Sequence, residues 1–310
     1  MNNKSMIDVK KRSFRIKITS SVCILLLLIL GLIFSLVGAK YSNKTELTQL
    51  TNNSNSQMMG YFIKAQDKNI VIDGGTKEDS QNLQNHIKDS GGTVNAWFIT
   101  HPHKDHAGAI IDIIENTDIK IEHIYITLND IEWYQENEPQ RAEEAIQLKD
   151  ALENDRVKDM VTEVSLNQKI KIGTVNCEIL GTKNPEITVN AINNSSMVIK
   201  MYLGKKSILF LGDTGAESSQ KLIENEKEKL PSDIVQMAHH GQNGATEELY
   251  KIVDPKICLW PTPEWLWNND KGEGEDSGNW KTKETRNWME NMHVEKNIIE
   301  KDGDQTITVW

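Results

Sequence analysis

Four side chains suited to binding divalent cations fall within six residues: His101, His103, Asp105 and His106, in the stretch Thr100-His101-Pro102-His103-Lys104-Asp105-His106. No other feature restricts the possible folds as strongly. The stretch directly follows a strand-like run, Val94 to Thr100. Helical zinc motifs place His at i and i+4, whereas His at i and i+2 share a side only on extended backbone. His101 and His103 are therefore placed to hold one ion from a strand end. Asp105 and His106 stand at the turn into the apolar run Ala107 to Ile114, read as a helix, so they point elsewhere and can hold a second ion. A surface loop that happens to be rich in His is the plain alternative, and the ligand spacing argues against it.

Around this loop the chain alternates strands and helices in two halves. Tyr61 to Lys64, Asn69 to Asp73, Val94 to Thr100 and Lys120 to Thr127 read as strands, and Glu78 to Asp89, Ala107 to Ile114 and Gln140 to Leu152 as helices. In the second half Lys169 to Ile172, Val175 to Leu180, Met197 to Leu203, Lys206 to Leu211, Ile234 to Ala238 and Lys256 to Trp260 read as strands. Ala216 to Asn225 and Glu247 to Val253 read as helices.

With these residues in place, the chain resembles the metallo-β-lactamase-fold hydrolases, whose HxHxDH signature stands here as His101, His103, Asp105 and His106. The run Asn69 to Gly75 is similar to the family's early strand ending in Asp-Gly, which implies that Asp73 supports the metal loop from behind. Ser207 to Gly215 is similar to the later strand whose terminal Asp bridges both metals, here Asp213, and Met237-Ala238-His239-His240-Gly241 resembles the final His motif. Asn193 to Val198, followed by Leu-Gly-Asp and His-His-Gly, is most similar to the extracellular hydrolase domain of competence-type (ComEC-like) DNA-uptake proteins and their stand-alone relatives. The resemblance covers roughly residues 57–300. It implies an α/β fold, the αββα sandwich, with metal loops at one edge.

The same resemblance implies a gap. A further metal-binding His is expected before the bridging Asp, and where competence-type relatives show Leu-His-Pro this chain has Leu180-Gly181-Thr182. The implied ligands are then His101, His103 and shared Asp213 for the first ion, and Asp105, His106, Asp213 and His239 for the second, with His240 free to donate to substrate. The cofactor expectation is two divalent cations, zinc first with manganese or iron as alternatives, the first site being incomplete.

The N-terminus reads separately. Lys4, Lys10, Lys11, Arg12, Arg15 and Lys17 precede an uncharged run from Ile18 to Ala39, which at about 1.5 Å per residue reaches roughly 33 Å, enough to cross the hydrocarbon layer. The expected organisation is a cytoplasmic basic segment at 1–17, a transmembrane anchor or uncleaved signal at 18–39, a flexible Asn/Ser/Thr-rich stalk at 40–56, and the hydrolase domain at 57–310. Basic residues before the run place the N-terminus inside and the domain outside the cell. Val37-Gly38-Ala39 offers a cleavage site and hence secretion as the alternative.

Charge and aromatic content bear on the substrate. The net charge is -10, and residues 1–17 carry six basic groups against one acid, leaving -15 from residue 18 onward. Such a balance disfavours nucleic acid as a general partner. Trp260, Trp265, Trp267 and Trp280 lie within 21 residues; Trp265 and Trp267 are candidate walls for a sugar, base or quaternary ammonium group, with core packing as the alternative. Asn193, Asn194, Ser195 and Ser196 are candidate substrate donors, with a turn-forming role as the alternative. Cys177 and Cys258 sit in apolar strand-like contexts and read as buried thiols.

Two cations lower the pKa of a bridging water toward neutrality, supplying hydroxide without a protein nucleophile. Asp105 could orient it or accept its proton, and His240 could protonate a leaving group. The functional expectation is a membrane-anchored extracellular phosphodiesterase acting on a phosphate ester at the cell surface or wall. A lactone or lactam hydrolase and a metal-binding sensor of weak turnover are the alternatives.

Overall fold

Strands whose apolar side chains point both ways need cover on both faces, and the second half of the chain is built of such strands. In Lys206–Phe210, Ile208 and Phe210 join a cluster shared by two sheets, while Leu209 and the following Leu211 join a cluster beneath helices. Trp97 and Phe98 divide in the same way in the first half. The computed structural model describes residues 44–310 together with Leu28, Ile29 and Gly31.

In chain order the strands are β1 (Thr45–Gln49), β2 (Gly60–Ala65), β3 (Lys68–Asp73), β4 (Thr93–Val94), β5 (Ala96–Phe98), β6 (Lys120–Ile121), β7 (Ile124–Ile126) and β8 (Val161–Glu163), followed by β9 (Lys169–Ile172), β10 (Val175–Gly181), β11 (Val198–Leu203), β12 (Lys206–Phe210), β13 (Ile234–Gln236), β14 (Ile257–Trp260), β15 (Lys296–Ile299) and β16 (Gln305–Val309). One seven-stranded sheet runs β16-β1-β2-β3-β5-β7-β8 and the other β15-β14-β13-β12-β11-β10-β9; β4 and β6 pair separately. The helices are α1 (Ser80–Asp89), α2 (Lys104–Asn116), α3 (Ile131–Asn137), α4 (Ala142–Leu152), α5 (Ala191–Asn194), α6 (Ala216–Glu226), α7 (Glu247–Val253), α8 (Glu264–Trp267) and α9 (Thr282–Asn291).

The largest core lies between the sheets, where Tyr61 and Phe210 meet with ring centroids 5.2 Å apart. A second core packs the first sheet against α1, α2 and α4, and a third packs the other sheet against α6, α7 and α9. This is the expected αββα sandwich. Strands β3, β5, β7 and β8 run parallel, as do β12 to β15. Loops leaving β3, β5, β12, β13 and β14 therefore emerge at one edge, where open α/β sheets collect their sites.

Four expectations are corrected. Residues 45–56 are not a flexible stalk: β1 is paired on both sides, to β2 and β16. Its low apolar content misled because its polar side chains are satisfied inside the fold. Gln49 donates to the carbonyls of Trp260 (3.1 Å) and Ile298 (3.4 Å), and accepts from the Tyr61 hydroxyl at 3.1 Å. The loop after β1 is fixed by three carboxylates, which take the backbone N-H of Thr51 (Asp304, 2.7 Å), Asn52 (Glu300, 3.1 Å) and Asn53 (Asp79, 2.7 Å). The domain consequently begins at Thr45 rather than 57. Second, α2 starts at Lys104 and so takes Asp105 and His106 into its first turn. Third, the run Val94 to Thr100 is interrupted at Asn95, whose side chain accepts from Asn69 N-H at 2.9 Å. Fourth, Lys120 to Thr127 is likewise interrupted, at Glu122 and His123. The expected basic segment at 1–17 and all of the expected span at 18–39 except Leu28, Ile29 and Gly31 lie outside the described residues. Among the described residues no helix is long and apolar enough to cross a membrane.

Candidate metal centre

Strand β3 ends in Asp73, held at φ 52°, a left-handed conformation that is costly for a residue bearing Cβ and is maintained by what the side chain binds. Asp73 Oδ1 accepts the Thr100 N-H at 2.7 Å, and its Oδ2 accepts the Thr100 hydroxyl and His106 Nδ1-H, each at 2.7 Å. The carboxylate thus fixes the start of the loop after β5 and the orientation of the His106 ring.

The proton positions follow from the partners. With the Thr100 hydroxyl proton committed to Asp73, His101 Nδ1-H is the donor to Thr100 Oγ1 (3.1 Å) and Ser196 Oγ (3.3 Å). His240 Nδ1 faces the Pro261 carbonyl at 2.9 Å and must carry its proton. Nε2 of His101, His106 and His240 is left as the nitrogen that faces the centre, the arrangement that orients an imidazole toward a cation. His101 Nε2 lies 3.1 Å from His103 Nδ1, and His106 Nε2 lies 3.3 Å from His240 Nε2.

Two clusters result. His101, His103 and Asp213 form one; Asp105, His106 and His240 form the other, with ligand atoms in each within 4.8 Å of one another. Asp213 lies between them: its Oδ1 is 3.2 Å from His106 Nε2, and its Oδ2 is 3.7 Å from both His101 Nε2 and His240 Nε2. Gly212 before it has φ 56°, and a Cβ there would meet Ser196 Cβ at 2.9 Å, so the turn that presents Asp213 requires glycine. Ser196 Oγ accepts the Asp213 N-H at 3.0 Å.

Burial and charge make the centre suited to cations. Burial and the neighbouring His106 drive His101 well below the ordinary imidazole pKa, and burial takes His103 down to about 3, so these rings are neutral ligands. For His106 and His240 burial also disfavours the charge, but Asp213 outweighs it, with Asp73 helping at His106 and Asp105 at His240, and both rise. Burial would raise Asp105 and Asp213; the His240 hydrogen bond and the His106 charge at Asp105, and the His106 and His240 charges at Asp213, overcome it and hold both carboxylates ionised. Inward-facing Nε2 atoms, ionised carboxylates and a buried Asp105 Oδ1 without a hydrogen-bond partner among the described residues all fit divalent cations at these positions, which would displace the protons that His106 and His240 otherwise favour. Among the described residues no fourth His, Cys, Asp or Glu joins the first cluster. At the expected place of the absent His, β10 ends at Gly181, where an added Cβ would meet Val198 at 3.0 Å.

Several expected roles change. His240, not His239, completes the second cluster. Successive left-handed residues His239 (φ 50°), His240 (φ 55°) and Gly241 (φ 76°) turn the chain so that the second ring points inward; a Cβ at Gly241 would strike the Trp260 ring at 2.5 Å. His239 stands beside the pair, its Nε2 3.3 Å from Asn193 Nδ2 and its Nδ1 3.4 Å from the Asn243 carbonyl, and burial lowers its pKa. Asn194 is fully buried and serves α6: its Oδ1 accepts from Gly215 N (3.1 Å), Ser218 N (3.2 Å) and the Ser218 hydroxyl (2.7 Å). Ser195 donates to the Ile192 carbonyl at 2.7 Å. Neither is available to substrate: Asn194 is used by the N-terminus of α6 and Ser195 by the carbonyl of Ile192 in α5. Trp267 packs edge-on to Trp260 at 5.2 Å and under the Arg286 guanidinium at 4.2 Å. Trp265, by contrast, lines an open cleft of about 1070 Å³ together with Asp105, Lys77, Lys104 and Arg141. Ser196, expected among the substrate donors, instead supports Asp213 and His101; sequence reasoning missed Arg141, since a lone Arg opening an acidic helix carries no spacing that marks it.

The family model of the metallo-beta-lactamase superfamily matches residues 59–257. ComE operon protein 3 of Bacillus subtilis is 28% identical over 100 residues, 32% of this chain and 12% of that protein. The probable metallo-hydrolase YqgX of Bacillus subtilis is 31% identical over 77 residues, 25% of this chain and 34% of that protein. These matches span well under two thirds of either relative. Among solved structures, the metallo-beta-lactamase fold protein YhfI from Bacillus subtilis superposes with a TM-score of 0.53 at 14% identity, covering 86% of this chain and all of that one.

Proposed function

The chain belongs to the metallo-beta-lactamase superfamily, and on that premise we propose that it is a metal-dependent phosphodiesterase held at the outer face of the membrane. The observation that carries this reading is the juxtaposition of two ligand clusters, joined through Asp213, with a cleft bearing Lys77, Lys104, Arg141 and the Trp265 ring. His101, His103 and Asp213 would hold one cation, and Asp105, His106, His240 and Asp213 the other; cations there supply Lewis acidity and lower the pKa of water at the scissile bond. Zinc is the first candidate, with manganese or iron as alternatives.

The protein's own groups do the rest. Asp73 keeps the His106 proton on Nδ1, the Pro261 carbonyl does the same for His240, and ionised Asp105 is placed to take a proton from attacking water. Because His240 is used as a ligand, it is replaced by His239 as the group beside the substrate. Its lowered pKa makes it a neutral hydrogen-bonding group rather than an acid at neutral pH. Cationic side chains in the cleft favour a phosphate ester over a lactone or lactam, and the half-buried Trp265 ring lining the same cleft supports a sugar or choline head at the cell wall.

A sensor of weak turnover is the second reading, favoured by the three-residue first cluster. The test is hydrolysis of bis-p-nitrophenyl phosphate by the full chain loaded with Zn or Mn, beside Asp213→Ala and His240→Ala. Turnover abolished in both variants supports the phosphodiesterase. Opening of a lactone without phosphodiester cleavage would replace it by a lactonase, and bound metal with no turnover by a sensor.

A further inference from the structure

Three arginines lie in the described part of the chain, and their partners differ. Arg156 is fully used on the carbonyls of Ile114, Thr117 and Ile119, and Arg286 on the Trp267 ring and carbonyl. Arg141 is the one that lines the cleft beside a metal ligand. It precedes α4, and the carboxylate of Glu144 one turn later accepts from its Nη2 at 3.1 Å and lies 2.8 Å from its Nε, which makes no hydrogen bond among the described residues. Glu144 also accepts the Lys104 N-H at 2.8 Å, at the start of α2. One carboxylate thus ties the guanidinium to the first turn of the helix that carries Asp105 and His106. Arg141 Nη2 stands 3.9 Å from Asp105 Oδ1, and Nη1 makes no hydrogen bond among the described residues.

We propose that Arg141 is the oxyanion-binding residue of this cleft, its free Nη1 edge gripping a phosphoryl oxygen of the ligand next to Asp105. The proposal rests on the phosphodiesterase reading and names the residue that gives it selectivity. A guanidinium is a planar fork with two usable edges: Glu144 occupies one and prevents the side chain from collapsing onto Asp105, while the other stays available for a tetrahedral oxyanion. An arginine needed only to balance Asp105 would sit against it. Here the separation exceeds hydrogen-bonding distance and Glu144 takes the contact instead. Lys104 and Lys77 add charge to the same wall, whereas the lining carboxylates Glu78, Glu115 and Asp150 keep the cleft as a whole from being a general polyanion track.

The test is calorimetric binding of inorganic phosphate to the full, metal-loaded chain and to Arg141→Ala and Arg141→Lys, with metal content measured on each sample. A charge-assisted contact of this kind predicts an affinity about ten- to hundredfold lower in Arg141→Ala at unchanged metal content, with Arg141→Lys between, since it keeps the charge and loses the fork. The KM for bis-p-nitrophenyl phosphate rises in parallel, with Arg141→Lys again between. Equal phosphate affinity in all three proteins would overturn the proposal. So would a loss that tracks loss of metal, which would make Arg141 a support for Asp105. Absence of phosphodiester turnover with an Arg141-dependent phosphate affinity would refute the phosphodiesterase reading and leave the subsite standing.

Discussion

Asp73 and His106 share a buried hydrogen bond of 2.7 Å, carboxylate Oδ2 to imidazole Nδ1, that decides which ring nitrogen faces the metal centre. The same carboxylate takes the Thr100 N-H and hydroxyl, so one left-handed residue at the end of β3 sets both the loop and the ligand. An asparagine in its place retains shape but loses the charge, and its amide can present a donor to the ring.

For Asp73→Asn we therefore expect a metal affinity roughly 10- to 100-fold weaker, the usual effect of removing the group behind a ligand. The loss falls mainly on the ion held by His106. Competition titration against a chromogenic chelator measures it, and wild-type affinity in the variant would refute the assignment of the His106 tautomer.

The two adjacent histidines separate by the same kind of measurement. His240→Ala removes a member of the second cluster and is expected to lower bound metal from two ions toward one. His239→Ala leaves both clusters whole and is expected to keep the metal while lowering turnover by about 10- to 1000-fold, the range for one catalytic hydrogen-bonding group. Metal analysis on the purified variants decides, and the reverse pattern would restore His239 as the ligand.

How far the centre was legible in the residues differs by ligand. Spacing separates His101 and His103 from Asp105 and His106 as the two clusters do, although β5 ends at Phe98 and the first two stand in the loop after it rather than on a strand. The choice between His239 and His240 was not legible: it depends on three consecutive left-handed residues, two of which are histidine rather than the glycine that would announce such a turn. Asn194 and Ser195 looked like exposed polar donors because the sequence does not reveal that the N-terminus of α6 needs the Asn194 oxygen or that the Ser195 hydroxyl is spent on the Ile192 carbonyl. Alternating apolar residues marked the interior strands, while β1, whose polar side chains are satisfied by distant carbonyls, read as a linker. Arg141 and Glu144 become a unit only once α4 packs beside α2.

Strand β1 supplies a third test. It closes the first sheet between β2 and β16, so removing it exposes two strand edges and the buried Leu47 contact. A chain begun at residue 57 is expected to aggregate or melt at least about 10 °C below one begun at 44. Losing a strand costs several kcal/mol, and each kcal/mol shifts Tm by roughly 2–4 °C in a domain of this size. Equal melting temperatures in differential scanning calorimetry would return residues 45–56 to the status of a linker.

Glu300 supplies the pH dependence. Its side chain is fully buried; its Oε1 accepts the Asn52 N-H at 3.1 Å, and Oε2 has no partner among the described residues. Burial raises its pKa well above the ordinary carboxylate value; the Asn52 hydrogen bond works against this and the Asp79 charge adds to it. A folded-state pKa above the unfolded one means that the folded protein holds the proton longer. The associated stability is complete below the unfolded pKa of about 4.3 and is lost progressively as pH rises through the folded value. Glu300→Gln keeps the shape of the protonated acid and cannot ionise. Its melting temperature is therefore expected to match wild type near pH 4.5 and to exceed it by at least about 2 °C at pH 8, given roughly 2–4 °C per kcal/mol. Melting curves of both proteins across that range check the sign. A variant less stable than wild type at pH 8 would mean that the Glu300 carboxylate is ionised and favourable in the fold, contrary to what its burial implies.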